Sequence, residues 1–253
     1  MKIYRNLEHE VKYMNKLREY LDSSPREGVH VSDLINPRKA FFKRVSPLPL
    51  TDREVGYFIT GRVLHLIVQT ALGIKEERRV YFAEPHKVTV EGNEDLQVGT
   101  LEGEPGEFKT TRKWSIPSVP DQQYLDQEGM YCAMENALDP ARGLRGHIWV
   151  LYLTPGRKFD GSKITYPQFV FWTVEYAPED LEAIRQNMRY RRDAFVQALA
   201  TKTEEDFKKM PLCYDWLCAT TGKSGTEIQC PHFDTCKPEG RWIGPGQFKG
   251  GKK

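Results

Sequence analysis

Along residues 5–24 the apolar side chains Leu7, Val11, Met14, Leu17 and Leu21 return every three or four positions, with charged residues between them. That spacing gathers them on one stripe and predicts an amphipathic helix. HVSDLINPRKAFFKR, residues 30–44, predicts two short helical pieces. Ser32 can cap the first, and Asn36 followed by Pro37 supplies the cap and first helical position of the second. TDREVGYFITGRVLHLIVQTALG, from Thr51, is the strongest helical pattern: Thr51 and Glu54 have capping-box spacing, and Gly73 can end it. Beta-rich sequence then runs from Arg79 to about Thr111, in RRVYF, HKVTV, LQVGTLE and GEFKTT. A helix over about Asp121 to Leu138 follows. GHIWVLYLT and PQFVFWTVEYA, rich in aromatic and β-branched residues, predict two more strands. A long helix starts near Pro178 and runs past Ala200.

Helices, an antiparallel strand set, a helix, two strands and a helix predict an α/β sandwich around a mixed sheet. The expected organisation is a helical N-terminal region (1–50), a core (51–205), a Cys-rich segment (206–240) and a flexible basic tail (241–253) ending in GPGQFKGGKK. No internal repeat is visible. Composition changes this picture little: 39% hydrophobic and 28% charged residues are ordinary for a globular chain of 253 residues. A net charge of +2 neither demands nor excludes nucleic acid, so a local basic patch must carry that case. No apolar run reaches membrane-spanning length and MKIYRNLEHEV lacks a signal peptide's apolar core, so a cytoplasmic chain with no membrane partner is expected. Five cysteines then point to reduced thiols or metal ligands.

The candidate chemistry centres on GEPGEFKTTRKW, residues 103–114. On a strand Glu107 and Lys109 point the same way and Phe108 points into the core. On spacing alone this is an ordinary ion pair. Upstream, however, VGTLEG carries Glu102, and GEPG makes a turn. In a hairpin Glu102 can approach Glu107, and a hard divalent cation such as Mg²⁺ would relieve the repulsion of the two carboxylates. His65, between Leu64 and Leu66, and the pair Gln127 and Tyr131, four residues apart on one helix, also have plain packing readings. Cys213, Cys218, Cys230 and Cys236 crowd one segment, where four thiolates suit Zn²⁺ or an iron–sulfur cluster. Cys132 reads as a buried thiol. Arg38, Lys39, Lys43 and Arg44 surround two phenylalanines, a composition that suits a single-strand track. Arg185, Arg189 and Arg192 share a face of the last long helix.

In this order the motifs resemble the PD-(D/E)xK nucleases of the RecB-like exonuclease type, and among them the CRISPR-associated and phage members with a cysteine-ligated iron–sulfur cluster. The family's GxxxH falls on Gly61 and His65, its GTxDG on Glu102 in GTLEG, its ExKTT on Glu107, Lys109, Thr110 and Thr111, and its QxxxY on Gln127 and Tyr131. The resemblance implies a restriction-endonuclease-like mixed sheet flanked by helices, with a Cys-rich C-terminal metal-cluster lobe. It implies Mg²⁺- or Mn²⁺-dependent DNA cleavage, with His65, Glu102, Glu107 and the Phe108 carbonyl as metal ligands. Lys109 would be the catalytic lysine, and Gln127 and Tyr131 would position it or the DNA. The implied partners are single-stranded DNA or DNA ends, with recombination or CRISPR proteins. The cluster would be 4Fe-4S, with Zn²⁺ the alternative. Asn36 stands where such relatives carry an N-terminal cysteine, and Cys213 is the extra thiol in the tail that can replace it. Glu102 stands where the family has aspartate, its gap to Glu107 is short, and Asp95 is a substitute. These departures leave an alternative: a nuclease-fold module that binds nucleic acid or a partner with little or no catalysis.

Overall fold

The computed structural model describes residues 7–22, 27–71, 78–94, 96–97, 104–113, 115–154, 156–157, 160–164, 167–212, 219–221 and 227–229. The elements, in chain order, are α1 (Leu7–Asp22), β1 (Val29–His30), α2 (Val31–Ile35), α3 (Pro37–Val45), α4 (Asp52–Ala71), β2 (Arg78–Phe82), β3 (Val90–Glu94), β4 (Leu96–Gln97), β5 (Pro105–Thr111), α5 (Gln122–Leu138), β6 (Arg145–Tyr152), β7 (Gly156–Arg157), β8 (Lys163–Ile164), β9 (Gln168–Glu175), α6 (Pro178–Thr201), α7 (Glu204–Lys209), β10 (Ala219–Thr221) and β11 (Glu227–Gln229). The chain is mixed α/β: two small mixed sheets flanked by helices, plus two short ribbons. Among the described residues no helix is long and apolar enough to cross a membrane.

Local chemistry accounts for the helix ends. Thr51 and Glu54 form the expected box: the Thr51 N–H donates to Glu54 Oε2 at 2.9 Å, and the Glu54 N–H returns to Thr51 Oγ1 at 3.3 Å. α3 begins at Pro37 as expected. α2 is capped differently. It starts directly from β1, so Ser32 already lies inside it, and the Asp33 carboxylate accepts the His30 N–H at 3.0 Å.

One sheet has the order β1-β3-β2, with β1 parallel and β2 antiparallel to β3. The other has the order β4-β5-β6-β9, in which only β5 and β6 are parallel. β6 is buried almost throughout, as a central strand must be, whereas β9, at the edge, alternates half-buried and exposed positions. α5 is buried on nearly every side from Tyr124 to Glu135, which is how a helix with no polar stripe satisfies itself. It meets both sheets and α6. The largest core cluster joins Val31, Leu34 and Phe41 to Met130 and Met134 of α5, Phe195 of α6 and Met210, so the residues of α2 and α3 share one core with α5 and α6.

The arginines of α6 do structural work in this packing. Arg192, 1% exposed, donates to Glu84 Oε2 at 2.7 Å and to Asp193 at 2.9 Å. Arg189 donates to the other oxygen of Glu84 at 2.7 Å and to Glu182 at 3.0 Å. Arg185 bonds Glu182 and Asn136. The expected basic face is therefore a set of internal ion pairs tying α6 to the β2–β3 connection and to α5. Arg189's hydrogen bond holds the Glu84 carboxyl below its ordinary range against the opposing effect of burial, and Arg192 adds to the lowering. A carboxyl lowered on folding stabilises the fold above its unfolded pKa and loses that contribution as pH falls through the folded one. Glu84→Gln is expected to cost about 2 kcal/mol at neutral pH, because it strips the charge partner of a buried guanidinium. Urea titrations of both proteins should show the difference shrinking as pH falls below the ordinary carboxylate range. A difference independent of pH would show that the charge of Glu84 is not its source.

Candidate active site on strand β5

β5 lies between β4 and β6, and its parallel register pairs Glu107 with Ile148, Phe108 with Trp149 and Lys109 with Val150. Alternation then divides the strand. Glu107 and Lys109 share the face of Ile148 and Val150, which pack under Tyr124 of α5. Phe108 takes the opposite face with Leu151, against Val68 and Leu64 of α4. Phe108 is thus in the core, as the sequence predicts.

The Glu107 carboxylate is 0% exposed, and the ammonium of Lys109, a quarter exposed, contacts its Oε1. Its Oε2 has no hydrogen-bond partner among the described residues. Burying a carboxylate costs several kcal/mol, and here one flexible ammonium offsets it. The second oxygen is an acceptor held out of water, the donor chemistry of a hard-cation ligand.

The other expected site residues are distributed as follows. β4 and β5 form the expected antiparallel pair, with Leu96 opposite Gly106 and Gln97 opposite Pro105. This register brings the start of β4, not its end, nearest Glu107. Glu102 lies outside the described residues, as does Asp95. His65 reaches β5, but at Phe108: the two rings meet edge-on with centroids 4.7 Å apart, across the strand from the Glu107 carboxylate. Among the described residues no three His, Cys, Asp or Glu side chains converge as a metal-binding group. Gln127 and Tyr131 do share a helix face, and Gln127 Nε2 donates to the Tyr131 hydroxyl at 2.8 Å in a buried setting. They sit on the helix that covers the Glu107–Lys109 face. Cys213, Cys218, Cys230 and Cys236 lie outside the described residues. Cys132 is buried, as expected.

The basic track expected over Arg38, Lys39, Lys43 and Arg44 is corrected in part. Arg38 is buried and donates to the carbonyls of Lys208 and Met210 at 3.0–3.1 Å, with Phe207 beneath its guanidinium. Arg44 donates to Asp33 at 2.5 Å. Phe41 and Phe42 pack on Phe207 at centroid distances of 5.4 and 5.2 Å, so they belong to an aromatic cluster of the core. Lys39 and Lys43 remain exposed. The alternation of a helix explains the split: Arg38 and Phe41 fall on the face turned toward α6 and α7, and Lys39 and Lys43 fall away from it.

Sequence reasoning missed a second polar cluster at the other end of β5. His147 of β6, buried, brings Nε2 within 2.6 Å of Glu104 and Nδ1 within 3.2 Å of Thr173, and its ring stacks on Phe171. Glu128 of α5, also buried, accepts the His147 N–H at 3.2 Å and lies 3.7 Å from the Cys132 sulfur. A cleft of about 470 Å³ opens beside them, lined by residues that include Glu104, Arg142, Arg145 and Tyr176. No spacing rule links positions 104, 147 and 173, which strand register alone brings together.

No protein-family model matches the chain, and no curated protein matches it. Among solved structures the fold is similar to the crystal structure of SSO0001, with a TM-score of 0.50 and 16% identity over 84% of this chain and 92% of that one. At that identity the likeness concerns the fold alone.

Gly92 of β3 makes the room for Tyr131. A Cβ there would lie 2.8 Å from the tyrosine ring and 3.0 Å from Val80 Cγ2. Gly92→Ala is expected to destabilise the fold by about 1–3 kcal/mol, the usual cost of overpacking. Gly56→Ala is the control, since a Cβ on that exposed residue of α4 meets nothing within 4 Å. Replacing helical glycine there should instead stabilise by about 0.5–1 kcal/mol. Thermal melts decide, and equal melting points for the two variants would show that Tyr131 yields freely.

Proposed function

We propose that the chain is a divalent-metal-dependent DNA exonuclease of the PD-(D/E)xK type, in the RecB-like group, acting in DNA end processing. The observation that carries this reading is the Glu107 carboxylate: fully buried, with one oxygen on the Lys109 ammonium and the other without a hydrogen-bond partner among the described residues. A strand that needed only an ion pair could place it at the surface, where it costs nothing. The donor set fits Mg²⁺ or Mn²⁺ at Glu107 together with Glu102, and the bound cation would supply a Lewis acid for the scissile phosphate. The residues of the chain do the rest. Glu107 holds the Lys109 ammonium at the edge of a dry face. Lys109, a quarter exposed, is the cation that would orient a water or meet charge developing on the phosphate. Gln127 and Tyr131, hydrogen-bonded to each other on α5, would position the lysine or the DNA. His65 supports Phe108 from the opposite side of the strand. The four tail thiolates fit a 4Fe-4S cluster or Zn²⁺ as donors.

The test is cleavage of end-labelled single- and double-stranded DNA with Mg²⁺, Mn²⁺ or EDTA. Lys109→Ala and Glu107→Ala are expected to lose about 10²-fold or more in rate. Glu102→Asp should keep activity and Glu102→Gln should lose it. If Glu102→Gln cuts normally, the second carboxylate is elsewhere. Asp95, which immediately precedes β4, is then tested as Asp95→Asn. Equal rates for wild type and Lys109→Ala, with contaminating nuclease excluded, would leave the non-catalytic docking module as the reading.

The tail is tested separately by metal analysis of anaerobically purified protein, which separates iron from zinc. Cys213→Ser is expected to lose metal as severely as Cys230→Ser, because a site short of one thiolate is labile. Full occupancy in Cys213→Ser alone would remove Cys213 from the ligand set.

A further inference from the structure

One hydrogen bond fixes which way the backbone of β9 faces. The Tyr176 N–H donates to the Leu144 carbonyl at 2.9 Å, one step beyond the pairing of Arg145 with Glu175. In an antiparallel ladder such bonded pairs alternate with pairs whose groups point outward. Val174, Trp172, Val170 and Gln168 therefore bond β6, and Phe169, Phe171, Thr173 and Glu175 direct their N–H and C=O groups to the outer edge. His147 agrees with this phase: opposite Thr173, its N–H turns away from β9 to Glu128. Among the described residues no strand pairs with that outer edge. The same four residues are exposed, Phe169 at 53% and Phe171 at 46%. Sheet edges are ordinarily guarded by brevity, charge, proline or a bulge. β4, at the other edge of this sheet, is two residues long. β9 is eight residues long, pairs with β6 without a bulge and carries no charge from Gln168 to Val174. Pro167 stands only ahead of its first residue.

We propose that β9 is a dimerisation edge, pairing antiparallel with β9 of a second copy of this chain across a twofold axis at Phe171. The inference stands apart from the nuclease reading. A strand bonds its own copy symmetrically when the two run antiparallel about a twofold axis. Residues opposite each other must lie on one face of the sheet, so the axis passes through a single residue position. With the axis at Phe171, that residue exchanges backbone bonds with its copy, and Phe169 exchanges them with the partner's Thr173. The two Phe171 rings then meet across the axis instead of standing in water. With the axis at Trp172 the same backbone groups bond, but the Glu175 carboxylate faces the partner's Phe169. Pro167, lacking an N–H, ends the pairing beyond Gln168. Charge selects a second copy. Residues 157–163, which lead into β9, hold Arg157, Lys158 and Lys163 against Asp160. The strand leaves through Glu175 to Glu179 and Asp180 in the first turn of α6. Arg145 is shared there between Glu175 and Glu104, so that end stays acidic. Antiparallel pairing brings the acidic end of each strand to the basic start of the other. The uncharged stretch between them has nothing to select a partner of either sign. Two four-stranded sheets become one. β5 lies two strands in, about 10 Å from the joint, so the Glu107–Lys109 face is left as it is.

The test is sedimentation equilibrium of the purified full chain across micromolar concentrations, with amide hydrogen exchange followed residue by residue. A concentration-dependent dimer is expected. The amides of Phe169, Phe171 and Thr173 should slow as the dimer forms, while those of Val170 and Trp172, bonded to β6, are slow in the monomer as well. Phe171→Lys sets two like charges across the axis and should weaken the dimer about tenfold or more, with its circular dichroism unchanged. If Phe171→Lys does not fold, the exchange pattern of the wild type decides alone. A monomer at every concentration overturns the proposal, whether the edge stays bare or takes a strand from another protein. Slow exchange at Phe169, Phe171 and Thr173 that does not vary with concentration overturns it too, because a segment of the same chain then covers the edge. So does a dimer that leaves these amides fast, or one undiminished in folded Phe171→Lys. None of these results bears on the cleavage assay, which reads Glu107 and Lys109.

Discussion

Helix α5 lies between the two sheets with α6 behind it, and from Tyr124 to Glu135 it offers water almost nothing. A helix in that position must draw its polar partners from its own surroundings. Gln127 does so with Tyr131, Glu128 with the His147 N–H, and Glu135 with Arg142 at 3.4 Å. Each pairing constrains a neighbour. Glu128 can reach the backbone of β6 only because Gly146 has no side chain, for a Cβ there would strike its carboxylate. Arg142 can turn back to Glu135 because Gly143, at φ +69°, reverses the chain against the carbonyl of Cys132. The β6 strand is positioned by these contacts, and β5 is positioned by its register on β6. The geometry of the candidate site therefore depends on how α5 is buried.

The same economy explains where the positive charge goes. A guanidinium presents a planar fork of donors that can satisfy several acceptors at once, so arginine is suited to internal joints. Arg38 closes the end of α7, Arg192 and Arg189 share Glu84, Arg185 joins α6 to α5, and Arg191 caps the Leu34 carbonyl at 2.9 Å. In a chain of net charge +2, arginines used this way are withdrawn from any nucleic acid. Basic runs on these helices are thus a poor guide to which charges face solvent.

Elements with a strong period were legible from sequence. The helix after Thr51, the helix of about Asp121 to Leu138 and the strands GHIWVLYLT and PQFVFWTVEYA correspond to α4, α5, β6 and β9. So was the division of β5 into a Glu107–Lys109 face and a Phe108 face, since strand alternation needs no tertiary knowledge. Two kinds of feature were not legible. Partners in different elements, such as Glu104, His147 and Thr173, are chosen by register, which depends on the whole sheet. Burial of charge is the other: Arg38 sits in one run with exposed Lys39 and Lys43, and only the packing of α7 and Phe207 against α3 sets it apart from them.

The division of β5 also bears on what its two faces can do. The α4 face is held by rings, with Phe108 between His65 and Phe169, and contacts of this kind tolerate small shifts. The α5 face is held by one buried carboxylate and its lysine, an arrangement that costs stability when either partner is lost. A fold under selection for stability alone would lose little by exchanging Glu107 and Lys109 for well-packed aliphatic side chains on this face. Their presence at the centre of a sheet whose neighbours on that face are Ile148 and Val150 is the strongest physical sign that β5 answers to a requirement other than folding.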